Sequence, residues 1–207
     1  MTDQHQPLLA PGLVDRVVGL LKRPDLEWPI IAAEETSVKR LFKTYALPLA
    51  IIGPLASLIN AVGFNGDNVI EELLAFIVTL GLNLLAAYIL GIVIDGLAHN
   101  FASPKASLPS MKLGIYAMTP FWLLGAFNLI SGALAGALTL IFGLYGAYLL
   151  YRGLEPLKQT PLDKRLGYTI AATVVWFLLT LVVVGLIFAL LSAFAIIGAG
   201  SSALLNL

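Results

Sequence analysis

LLAFIVTLGLNLLAAYILGIVI, residues 73–94, runs for twenty-two positions without a charged side chain. Wound as an α-helix it reaches ~33 Å, enough to cross the ~30 Å hydrocarbon layer of a bilayer. The rest of the chain agrees: 59% of its residues are hydrophobic and 12% charged, with a mean hydropathy of +0.92. At that composition a soluble domain has too few polar side chains to cover its surface. The expected fold class is an all-α integral membrane protein.

Working outward, four more apolar stretches are long enough to span: about Tyr45 to Phe64, Leu113 to Ile130, Ala133 to Tyr151 and Gly167 to Ile197. The third and fourth spans in chain order are separated by little more than Ser131 and Gly132, which predicts a tight antiparallel hairpin. The last exceeds what a bilayer needs, so it tilts or emerges before Gly198 and Gly200 end it. The 207 residues then divide into a cytoplasmic N-terminal segment, residues 1–43, and a five-helix membrane bundle, residues 44–207.

The basic residues fix the orientation. Arg16, Lys22, Arg23, Lys39, Arg40 and Lys43 precede the first span, Lys105 and Lys112 lie between the second and third, and Arg152, Lys158, Lys164 and Arg165 between the fourth and fifth. Those are all twelve in the chain. Five crossings put every one on the same side, with the N terminus in the cytoplasm and the C terminus outside. Four or six would scatter them. Net charge is zero, which gives no reason to expect a nucleic-acid partner. Cysteine is absent, excluding disulfides and thiolate chemistry. Residues 1–43 hold no apolar core followed by a small-residue cleavage site, so no removable signal peptide is expected.

Within the N-terminal segment, Leu13, Val14, Val17, Val18, Leu20 and Leu21 form a helical stripe beside Asp15, Arg16, Lys22 and Arg23. This pattern predicts an amphipathic interfacial helix on the cytoplasmic face, ended by Pro24. A short second helix follows in EWPIIAAEE, and Thr36 or Ser37 is placed to cap the entry into span one.

Five pieces, RPDLEWPIIAAEE, YALPLAIIGPLASLI, GIYAMTPFWLLGAFNLI, GLYGAYLLYRGLEPL and TPLDKRLGYT, resemble in order and spacing the bacterial branch of the Yip family, the Ypt- or Rab-GTPase-interacting membrane proteins. The resemblance covers residues from about 13 to 190 and implies a cytosolic N terminus and five membrane helices. Eukaryotic members bind prenylated Rab GTPases in vesicle trafficking. Their Asp-Leu-Tyr-Gly-Pro signature is missing here, so a Rab-type GTPase partner follows only by distant analogy. The implied location is a bacterial inner membrane, with the C terminus periplasmic.

Candidate site residues are the polar groups in and near the spans, because each is costly in hydrocarbon. Asp95 and His99 close the 73–94 run one helical turn apart and share a face, where they could hold a proton or a divalent metal. Further metal ligands would have to come from Glu34 and Glu35. The competing reading places Asp95 at the cytoplasmic lip, paired with Lys105 or Lys112, and Glu34 and Glu35 at a helix start beside Lys39 or Arg40. Asn83, Asn128 and Tyr116 are candidate intramembrane contacts, bonding helices together or lining a solute path. Pro48, Pro54 and Pro120 each free a carbonyl one turn back, which for Pro120 is that of Tyr116. Gly132, Gly136 and Gly143 build a small-residue ridge for helix packing, within the bundle or in a homo-oligomer.

No HExxH, nucleophile elbow or phosphate-binding glycine loop is present, so no enzyme is expected. The leading expectation is a non-enzymatic membrane protein that organises protein partners or lipids at the cytoplasmic face. The alternative is a small ion, metal or solute conduit using Asp95, His99 and the asparagines, which a buried water-accessible cavity joining them would favour.

Overall fold

The computed structural model describes residues 12–205, with side chains to residue 185 apart from Val183. All regular structure among the described residues is helical. Helix α1 covers Leu13–Lys22 and α2 covers Pro24–Ala33. Four longer helices are apolar and long enough to cross a membrane: α3 (Val38–Asn65), α4 (Val69–Phe101), α7 (Gly132–Lys158) and the first part of α8 (Leu162–Leu205). Between α4 and α7 the chain forms α5 (Ser107–Ala117) and α6 (Thr119–Leu124), then a 3-10 turn over Gly125–Leu129.

Local chemistry explains the breaks. Pro120 lacks the N–H that would bond the Tyr116 carbonyl, so α5 and α6 part at Met118. The Thr119 hydroxyl takes over, donating to that carbonyl at 2.7 Å. In α3, Pro48 and Pro54 sit between two π-helical stretches, Phe42–Ala46 and Ile59–Asn65. Asn68 caps α4 by accepting from the Ile70 N–H at 2.9 Å. Gln159, in the left-handed region at φ 50°, closes α7: its N–H bonds the Glu155 carbonyl at 2.9 Å and Thr160 N–H bonds that of Leu154 at 3.3 Å.

One expectation is corrected. Helix α8 does not stop at Gly198 or Gly200 but continues to Leu205; helix geometry tolerates glycine where nothing obliges the chain to turn. Helix α3 starts at Val38, ahead of the apolar stretch that begins near Tyr45. Ser37 is its cap, accepting from the Arg40 N–H at 3.2 Å.

Long-range bonds order the bundle. At one end the Ser103 and Thr160 hydroxyls bond at 2.8 Å, tying the ends of α4 and α7 together, and the buried Tyr168 hydroxyl donates to the Ile94 carbonyl. At the other end the Asn60 amide donates to the Leu129 carbonyl at 2.9 Å. Residues 107–129 thus run from the first end to the second.

Two crossings bring backbones together at glycine, and a third glycine packs against side chains. A Cβ on Gly125 would lie 2.5 Å from Gly53 Cα, one on Gly114 would lie 2.8 Å from Gly91 N, and one on Gly153 would lie 2.8 Å from the Trp28 ring. Of the expected ridge, Gly143 lies beside the Phe121 ring, whereas a Cβ on Gly132 or Gly136 would meet nothing within 4 Å. The tight contacts of α7 fall further along, at Gly146 and Gly153.

Candidate functional site at the basic end

Helices α1 and α2 fold back on the flank of the bundle where the basic residues gather. Arg16, read from the sequence among the polar companions of the apolar stripe on α1, is only 3% exposed. Its guanidinium forks between two carboxylates, Glu27 at 2.5 Å and Glu34 at 2.8 Å, and lies 6.0 Å from the centroid of the Tyr116 ring. An arginine suits the position because its planar donors engage two acceptors at once while its face meets an aromatic ring. Tyr116 lies 4.3 Å from the Tyr45 ring at an interplanar angle of 53° and meets Trp28 edge-on at 6.1 Å. Tyr45 in turn shares a 2.8 Å hydrogen bond with Thr119.

Lys112 fixes α2 from below. Its ammonium donates to the carbonyls of Ile31 at 2.7 Å, Glu34 at 2.6 Å and Ala32 at 3.4 Å. These are the acceptors that a helix C terminus leaves unmet, where the helix dipole also favours a cation. Tyr145 donates to the Leu21 carbonyl at 2.5 Å, and Arg152 pairs with Asp25. The two short helices are therefore held by buried polar groups as well as by Leu20, Trp28 and Ile31.

Asp95 belongs to a second cluster. One of its carboxylate oxygens accepts from the Ala106 N–H at 2.8 Å, the Ser110 hydroxyl at 3.0 Å and the Lys158 ammonium at 3.2 Å. Lys158, whose side chain is fully buried, also donates to Ser110 Oγ at 2.7 Å. The partner expected for Asp95 was Lys105 or Lys112. Lys105 is exposed, Lys112 is committed to α2, and the last turn of α7 brings Lys158 in their place. Glu34 likewise pairs with Arg16, neither with Lys39 nor with Arg40, while Glu35 and His99 are exposed.

Among the described residues no three His, Asp or Glu side chains come together. Asp95 and Glu34 each face a cation, which offers an ammonium or guanidinium partner where a metal would need further ligands. Among the described residues, the carboxylates and histidine singled out do not fit a divalent metal. Asn83 and Asn128 lie elsewhere, on the wall of a cavity of about 290 Å³ between α3, α4, α6 and α7. Asp95, His99 and Tyr116 do not line it.

Glu27 and Ser110 were not named from sequence, while Arg16 and Lys158 entered only through the charge pattern and Lys112 only as a possible partner of Asp95. For Lys112 the available signal was its isolation among apolar neighbours, as in SMKLGIYAM.

Removal of the Arg16 side chain tests this geometry. Arg16→Met leaves Glu27 and Glu34 facing each other without their cation, and breaking one partner from such a buried group costs about 3 kcal/mol. The loss is concentrated on α1 and α2, so limited proteolysis near Arg23 is expected to accelerate before the bundle melts. Unchanged cleavage would show that the clamp does not hold these helices.

No curated protein and no solved structure matches this chain. The family model described as the Yip1 domain matches residues 18–186, a stretch that leaves out Arg16 but takes in Glu27 and Glu34 of the clamp, Asp95 with Lys158, and most of the four long apolar helices, and the chain therefore belongs to the Yip1 domain family.

Proposed function

We propose that this chain is a non-enzymatic, five-crossing protein of a bacterial inner membrane that organises anionic lipid at the cytoplasmic face. The N terminus is cytoplasmic and the C terminus periplasmic. The fifth crossing is residues 107–129, which run from one end of the bundle to the other despite the break at Pro120; with it, all twelve basic residues share one compartment. Helices α1 and α2 then lie in the interface, with Val14, Val18, Leu26 and Ile30 exposed to it.

The observation that carries the lipid reading is a groove between α3 and α4. It is lined by Phe42, Leu47, Leu84, Leu85 and Tyr88, with Lys39 and Lys43 at its rim. The lysines are one helical turn apart on α3 and both are exposed. An acyl chain fits the apolar wall, and a headgroup phosphate falls within reach of two ammonium groups near the membrane surface, where each is worth about 1 kcal/mol toward anionic lipid. Protein partners, including any GTPase, would meet the same face, and Gly132 and Gly136 leave room for a second membrane helix.

The test is lipid-dependent melting of the purified protein in neutral detergent. Phosphatidylglycerol is expected to raise the melting temperature by several degrees and phosphatidylcholine by little. Lys39→Gln with Lys43→Gln is expected to abolish the difference. Equal stabilisation by both lipids, or a double variant that keeps the preference, would overturn the reading.

A further inference from the structure

The cavity of about 290 Å³ lies away from the basic end, reaching from Gly132 at the start of α7 inward to Thr139. Its lining contains no Asp, Glu, Lys, Arg or His, yet it is far from apolar. Asn83 and Asn128 contribute amides, and Thr79 and Thr139 contribute hydroxyls. Pro54 denies the Ala50 carbonyl its usual helical donor, and Asn83 supplies only a long bond to it at 3.4 Å. Trp122, also on the wall, is 3% exposed and its buried indole N–H has no hydrogen-bond partner. Among the described residues the Asn128 amide has none either.

Unmet donors and acceptors inside a membrane domain are expensive, each worth several kcal/mol in hydrocarbon. Helix packing alone would favour closing such a space with leucine. Here the close approach of Gly53 and Gly125 brings α3 against the turn after α6 on one side of the cavity and leaves the polar wall open. A charged solute would face the large penalty of an uncompensated ion. An uncharged molecule carrying both donors and acceptors would satisfy the amides, the indole and the freed carbonyl together.

We infer that this cavity is a hydrated binding site for a small uncharged polar molecule of the carboxamide or polyol class. The site is independent of the lipid groove and lies toward the opposite membrane surface.

The chain contains no cysteine, so single cysteines report on the cavity without a background. In proteoliposomes, Asn128→Cys and Thr79→Cys are expected to react with N-ethylmaleimide at least tenfold faster than Ile77→Cys, which lies on an exposed apolar part of α4. Acetamide is expected to slow both reactions at least twofold relative to an exposed Asn100→Cys reference, and potassium chloride of equal osmolarity is not. Adding Trp122→Phe should retain fast labelling while weakening protection by acetamide. Labelling at both cavity positions as slow as at Ile77→Cys would mean a dry space, and fast labelling that neither acetamide nor glycerol slows would mean water without a ligand; either result overturns the inference.

Discussion

Asp95→Ala lowers stability by about 3–5 kcal/mol, because it strands the ammonium of Lys158 in a site with no exposure to water. What remains to that ammonium is the Ser110 hydroxyl at 2.7 Å, a neutral group that replaces neither the lost charge nor its hydration. The reverse change is milder. In Lys158→Met, Asp95 keeps its bonds to the Ala106 N–H and to Ser110, and its side chain retains 29% exposure, so the carboxylate stays partly hydrated and the cost is about 1–3 kcal/mol. Replacing both, as Asp95→Leu with Lys158→Met, removes the charges together and should recover at least half of the Asp95→Ala loss. Unfolding of the four proteins in one detergent gives the ranking. Equal losses in the two single variants would mean that burial of Lys158 is not what makes the pair necessary.

That asymmetry could not be read from the sequence, and the reason is general. The long apolar runs carry their own evidence: hydrocarbon thickness and helical rise fix their length, and the sorting of lysine and arginine orders them along the chain. Asp95 was visible too, as a carboxylate ending such a run. Its partner was not, because Lys105, Lys112 and Lys158 are equally basic in sequence and differ only in which helix end lies beside α4. The same limit applies to Arg16. A stripe of Val and Leu flanked by charges implies an amphipathic helix, and the natural inference is that every charge faces water. The fold instead turns one of them inward, onto Glu27, Glu34 and Tyr116, so that α1 faces the bundle through Arg16, Val17 and Leu20 and exposes Val14 and Val18. Pro120 shows the converse: the freed Tyr116 carbonyl was legible, and the Thr119 hydroxyl that answers it lies only one residue from the proline.

Glycine shows most directly what sequence spacing leaves open, and it gives the second large effect. Gly91→Leu and Gly114→Leu are each expected to cost about 3 kcal/mol, at the upper end of what overpacking a filled interior does. A Cβ on Gly114 would stand 2.8 Å from Gly91 N and 3.1 Å from Gly91 Cα; one on Gly91 would stand 3.1 Å from Met111 Cα. These are backbone atoms, so no rotamer change relieves the clash and α5 must move off α4. That movement would also carry Ser110 and Lys112 away from Asp95 and from the end of α2, so loss of the crossing loosens both charged clusters at once. Gly81 lies on the same helix as Gly91, ten residues earlier, and a Cβ there meets nothing within 4 Å. Gly81→Leu therefore gains helix propensity of about 0.8 kcal/mol without meeting a neighbour and is expected to melt at or slightly above the parent temperature. Sequence gives Gly81 and Gly91 the same apolar surroundings, which is why a ridge of small residues on α7 looked as good a packing face as the one that α4 and α5 use. Thermal melting of Gly81→Leu, Gly91→Leu and Gly114→Leu separates the two accounts: a Gly91→Leu protein as stable as Gly81→Leu would mean that α4 and α5 do not cross at backbone contact.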